Sequence, residues 1–94
     1  MPDLKTTGTY LTRLVQEFRQ DFKVNPADRW PAQKELWRTA VAAYEITRGW
    51  EHDENASAAQ EAVINQIRLI ALDSGFKVRE VESTISSARQ KING

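Results

Sequence analysis

The chain has 94 residues, no cysteine, three tryptophans, and 13 basic residues against 13 acidic ones. That is enough for one small domain, which argues against a large enzyme pocket. The missing cysteine excludes disulfides, zinc fingers, iron–sulfur clusters and thiol catalysis. Zero net charge argues against general coating of a polyanion, so any nucleic-acid contact must be local or helped by a neighbouring module.

The charge is nevertheless segregated. Residues 1–44 carry seven bases and five acids, residues 45–76 two bases and six acids, and residues 77–94 four bases and two acids. The middle is acidic and both ends are mildly basic. An evenly solvated surface is the plainer reading of the same counts. Met1 to Thr9 (MPDLKTTGT) has Asp3, Lys5 and hydroxyls where a signal peptide needs an apolar core, and no run approaches the roughly 20 apolar residues of a membrane span. A cytoplasmic protein with no membrane partner is expected.

Apolar positions step by three and four, which predicts four helices and no strand. Residues 1–8 read as a flexible tail and residues 9–94 as a single helical domain. The first helix, about Thr9 to Lys23, places Leu11, Leu14, Val15, Phe18 and Phe22 on one stripe, with Thr9 as its cap and Arg13, Gln16, Arg19 and Gln20 opposite. Asn25-Pro26 stops it, and Asn25 caps a single turn through Asp28. Pro31 suits the first turn of a second helix running to about Arg48. Its stripe is Leu36, Trp37, Ala40, Val41 and Tyr44, and Gly49 sits where a left-handed residue is wanted.

An acidic connection, Trp50 to Ala56 (WEHDENA), leads to a third helix. Ser57 and Gln60 form its expected capping box, and it runs to about Ser74 before Gly75. Val63, Ile64, Ile67, Ile70 and Ala71 share one face while Leu69 and Leu72 lie nearly opposite, which predicts a helix sandwiched at the centre of the fold. In the fourth helix, about Val78 to Ile92, the residues Val78, Val81, Ile85, Ala88 and Ile92 form a narrow packing stripe.

Candidate chemistry is sparse. The one histidine, His52, sits among Glu51, Asp53 and Glu54 in a segment without the spacing or the glycine of a calcium loop, so a solvated loop is expected and no metal or cofactor. Ser83, Thr84, Ser86 and Ser87 lack an adjacent base and an oxyanion site, and the four scattered glycines form no phosphate loop, so no enzyme is expected. Trp30, Trp37 and Trp50 have the chemistry to stack bases or anchor a peptide, but Trp37 lies on a core stripe and the other two flank its helix, which favours packing.

Residues Ile70 to Ile85 (IALDSGFKVREVESTI) place Ala71, Gly75 and Val81 at A-x3-G-x5-V, which resembles a helix-turn-helix. The small residue admits a close approach, glycine turns the chain, and the apolar residue anchors the second helix. Arg79, Ser83, Ser86 and Gln90 fall within about 60° on a helical wheel, a strip without an acid although Glu80 and Glu82 flank it. A guanidinium, two hydroxyls and an amide are groups that contact phosphates and base edges. An ordinary polar outer face on two antiparallel helices is the competing reading.

Leu69 to Gln90 (LIALDSGFKVREVESTISSARQ) also resembles the helical C-terminal (PriCT-like) domain of plasmid and phage primases and primase-polymerases. The residues carrying the resemblance are Ala71, Gly75, Phe76, Glu80, Val81, Thr84, Ile85, Ser87 and Ala88, with Leu36, Trp37 and Ala40 fitting the preceding leucine-and-alanine helix. The resemblance implies a noncatalytic bundle that engages template, primer or initiator-site DNA, or docks a primase core or helicase. The expectation is therefore an all-α bundle of four helices, with a fifth short turn near Pro26. It binds or positions DNA in replication through Arg79, Ser83, Ser86 and Gln90, with Lys77, Arg89 and Lys91 in electrostatic support. The alternative is a protein-interaction module that meets a partner or a second copy through the acidic segment from Glu51 to Glu61 or through Leu69 and Leu72.

Overall fold

A computed structural model describes the backbone of residues 4–21 and 29–93, and the side chains of residues 9–20 and 32–93. Within these residues the chain is all-α: α1 (Leu4–Asp21), α2 (Arg29–Ile46), a 3-10 turn (Trp50–His52), α3 (Glu54–Asp73) and α4 (Val78–Asn93). The radius of gyration is 13.0 Å, about the value of a packed domain of roughly 100 residues. Phe22, the stop at Asn25-Pro26, the turn through Asp28 and the side chain of Trp30 lie outside the described residues.

Helix α1 begins at Leu4, so residues 4–8 continue the helix where a tail is expected from the sequence, and Thr9 is an interior residue instead of a cap. Gly8 is tolerated within it, at a propensity cost of about 1 kcal/mol. Leu11, Val15 and Phe18 are buried as expected, Leu14 is half-buried, and Arg13, Gln16, Arg19 and Gln20 are exposed.

Helix α2 is the hub. It packs against α1, α3 and α4, and its contact with α4 is the most extensive in the fold. Helix α3 also packs against all three other helices and on the 3-10 turn, so the central place expected of it is shared with α2. Its buried stripe is Ala32, Leu36, Thr39, Ala40, Ala43 and Tyr44, while Trp37 and Val41 sit half-buried on its flank. The stripe is thus rotated from the one the large apolar residues mark. Alanines at positions 40 and 43 let the neighbouring backbones approach, and Ala71 on α3 and Ala88 on α4 face the same core.

After α2 the chain turns through Gly49, which is left-handed at φ 86°, as expected at that position. Trp50 is buried with Leu11 and Ala56 in a second, smaller core between α1 and α3. The cap of α3 is Asp53, not Ser57: Asn55 N–H donates to Asp53 Oδ1 at 2.9 Å and Ala56 N–H at 3.4 Å. Aspartate is among the strongest N-caps, and it starts the helix three residues before the predicted capping box. Gln60 is used elsewhere, donating to Thr47 Oγ1 at 2.7 Å and to Thr47 O at 3.4 Å, which ties α3 to the end of α2.

Helix α3 buries Ile64, Ile67, Ile70 and Ala71. The opposite side is only partly covered, because Leu72 packs on the core whereas Leu69 is 59% exposed.

Candidate nucleic-acid interface

The turn into α4 follows from Gly75. Its φ of 100° ends α3, Gly75 N–H donates to Leu72 O at 3.1 Å, and Phe76 N–H reaches back to Ala71 O at 3.2 Å. That pair of bonds is a Schellman motif, and its accompanying apolar contact joins Phe76 to Ala71, both in the main core. Ala71 and Val81 are both fully buried, so the A-x3-G-x5-V residues occupy the roles that their spacing predicts. The pair of helices is nonetheless not self-contained, since α4 packs mainly on α2 and only lightly on α3.

Helix α4 buries Val81, Thr84, Ile85 and Ala88. Val78, expected on that stripe, is 63% exposed, because Phe76 just before it already fills the core at the turn. Thr84, read from the sequence as one of a group of hydroxyls and as part of the primase-like pattern, is buried and donates Oγ1–H to Glu80 O at 2.8 Å, the usual way a hydroxyl is satisfied inside a helix. Arg79, Ser83, Ser86 and Gln90 are all exposed. At about 100° per residue their common direction lies roughly opposite the buried stripe, so the four form the outermost face of α4.

The supporting bases are exposed but do not form one group. Lys77 precedes the helix. Lys91 lies on the flank facing α2, with Nζ 5.4 Å from the centroid of the Trp37 ring, a cation–π contact. Arg89 lies on the other flank, toward α3. There Arg68 Nε stands 2.8 Å from Glu82 Oε1, and Arg68 also donates to Asn65 Oδ1. The Arg68–Glu82 contact is a charge pairing more than an aligned hydrogen bond, since the buried Nε has no acceptor in its donor direction. It places a cation against one of the two acids that edge the strip. Tyr44 is buried near these charges: burial raises its pKa, Glu61 adds to the rise, and Arg89 and Arg68 oppose it.

A cleft that the sequence did not mark opens between α2 and α4. It has a volume of about 430 Å³ and is lined by Gln33, Lys34, Trp37, Ser83, Thr84 and Ser87. Only Ser83 links it to the predicted strip. The signal available in the sequence was Lys34, Trp37 and Arg38 at helical spacing, a basic and aromatic edge that the packing reading of Trp37 absorbed. Trp37 is in fact half-buried, so it packs and lines the cleft at once.

Elsewhere the described residues hold little chemistry. His52 is exposed, 3.5 Å from Glu51, and no group of three or more His, Asp or Glu side chains converges on a metal position. None of the described helices is long and apolar enough to cross a membrane. The class defined by fold and surface is a small all-α bundle with a polar outer helix. No protein-family model, curated protein or solved structure matches the chain.

Proposed function

We propose that the protein is a noncatalytic helical module that binds or positions DNA through the outer face of α4. The observation that carries this reading is the strip of Arg79, Ser83, Ser86 and Gln90, exposed along one helix and turned away from the core. Arg79 supplies a fork for phosphate or a guanine edge, and the hydroxyls and amide supply adaptable donors and acceptors. Lys77 before α4 and Arg89 and Lys91 on its two flanks add positive charge, while Arg68 counters Glu82 at the edge of the strip. The likeness of residues 69–90 to the primase-associated helical domain supports a narrower role in replication in the cytoplasm, beside a primase core or helicase, on template, primer or initiator-site DNA.

The test is an anisotropy titration of a labelled DNA at several salt concentrations. Affinity falls steeply as salt rises. Arg79→Ala weakens binding by roughly fivefold or more and lowers the salt slope by about one, with the helical circular dichroism unchanged. Glu82→Gln, which removes an acid beside the strip, tightens binding. Unchanged affinity in Arg79→Ala removes that residue from the interface.

A second reading rests on Leu69, a large apolar side chain 59% exposed on α3. With half-buried Leu72 beside it, or through the acidic segment from Glu51 to Glu61 instead, the chain offers a surface for a protein partner or a second copy. A chain that self-associates in size-exclusion chromatography and ignores DNA at low salt supports this reading over the first.

A further inference from the structure

The cleft between α2 and α4 combines three properties on a small area. It has an aromatic wall: the Trp37 ring is half-buried, so its position is fixed by the core while part of it faces the opening. It has hydrogen-bonding groups of both signs in the Gln33 amide and the Ser83 and Ser87 hydroxyls. It has positive charge at two points, Lys34 in the lining and Lys91 over the Trp37 ring, and none of the described residues that line it is an acid. Its volume of about 430 Å³ falls within the roughly 300–1,000 Å³ range of sites that take small rigid ligands.

A flat ring, hydrogen-bonding edges and flanking cations fit an aromatic ring that bears hydrogen-bonding groups and is attached to phosphates. Base stacking on a fixed aromatic side chain is the mode by which proteins hold single strands, because an unpaired base has a free face and a paired one does not.

We propose that the α2–α4 cleft holds one unstacked base of a single-stranded nucleic acid, stacked on Trp37, with the neighbouring phosphates on Lys34 and Lys91. The assignment rests on the DNA-binding reading and deepens it: because Ser83 belongs both to the outer strip of α4 and to the cleft, a strand running along Arg79 and Ser83 reaches the cleft without leaving the surface. Gln33 and the two serines meet the edge of the base. Lys91, whose ammonium lies over the Trp37 ring, exchanges part of that contact for a phosphate.

The test uses the full chain with an oligothymidylate and with a DNA duplex of equal length at low salt, reading tryptophan emission and anisotropy together. Trp50 is buried, and the difference between the native chain and Trp37→Phe isolates the Trp37 signal. The single strand quenches Trp37 emission and binds more tightly than the duplex, and Trp37→Ala weakens single-strand binding roughly tenfold. Because Trp37 contributes to packing, Ser87→Glu is the companion variant. It changes an exposed helical residue, places an acid in the cleft, and weakens single-strand binding more than duplex binding. Absence of Trp37 quenching, or single-strand affinity unchanged in both variants, overturns the cleft assignment. If duplex binding then persists and depends on Arg79, the α4 interface stands without the cleft. If the strand quenches Trp37 and Arg79→Ala has no effect, the cleft stands and the outer strip falls. Binding of neither DNA at low salt overturns both.

Discussion

Gln60, in the second turn of α3, donates a 2.7 Å hydrogen bond to the hydroxyl of Thr47, which lies just past the end of α2. Thr47 is fully buried, and its hydroxyl in turn donates to Ala43 O at 2.7 Å. One polar side chain thus closes the last turn of α2 while the other fixes where α3 crosses it. The bond ties the end of the hub helix to the helix that leads into the Gly75 turn.

Thr47→Val keeps the shape of the side chain and removes both roles. Gln60 is left with only its 3.4 Å contact to Thr47 O, and a partly buried amide loses its principal partner. The expected loss is about 1–3 kcal/mol of stability, read as a fall in the thermal or urea midpoint. Thr47→Ser, which keeps the hydroxyl, retains most of it.

Gly75→Ala tests the turn between α3 and α4. An added Cβ meets no atom within 4 Å, so the substitution acts only through the left-handed backbone at φ 100°. The cost is about 1–2 kcal/mol. If the α4 face binds DNA, affinity per folded molecule stays near native while the midpoint falls, since the turn places the helix and does not touch a ligand. A drop in affinity at full folding instead means that the turn geometry itself is read.

Tyr44 gives the fold an alkaline limit. Its burial beside Glu61 raises the pKa above the ordinary tyrosine value of 10.0. An acid that is harder to ionise when folded contributes fully below pH 10. Above that the unfolded chain releases the proton first, so stability falls as pH rises toward the native pKa. Tyr44→Phe flattens this part of the stability curve, and the difference between native and variant tyrosinate absorbance locates the native ionisation. A native ionisation at the ordinary pH refutes the assignment.

Much of the fold was legible in the sequence because helices announce themselves locally. Leu11, Val15 and Phe18 mark their face by spacing alone, and Gly49 and Gly75 occupy left-handed turns where the pattern required them. The outer strip of α4 was legible for the same reason: a residue placed opposite a well-formed apolar stripe is exposed whatever the rest of the chain does. Boundaries were less legible. Ser57 and Asp53 are both good caps; Asp53 takes the role, and Gln60, the other half of the expected box, bonds instead to Thr47, a residue 13 positions away.

The sequence by itself determined the helical class, the turn at Gly75 and which side of α4 faces outward, since each depends on neighbours three or four residues apart. Only the tertiary structure decided which helix is the hub, which side of α2 is buried, and that Lys34 and Trp37 meet Ser83 and Ser87 across a cleft, with Lys91 over the Trp37 ring. Those outcomes turn on how closely alanines at positions 40, 43, 71 and 88 let the helices approach, and a distance between helices is not encoded in the periodicity of either one.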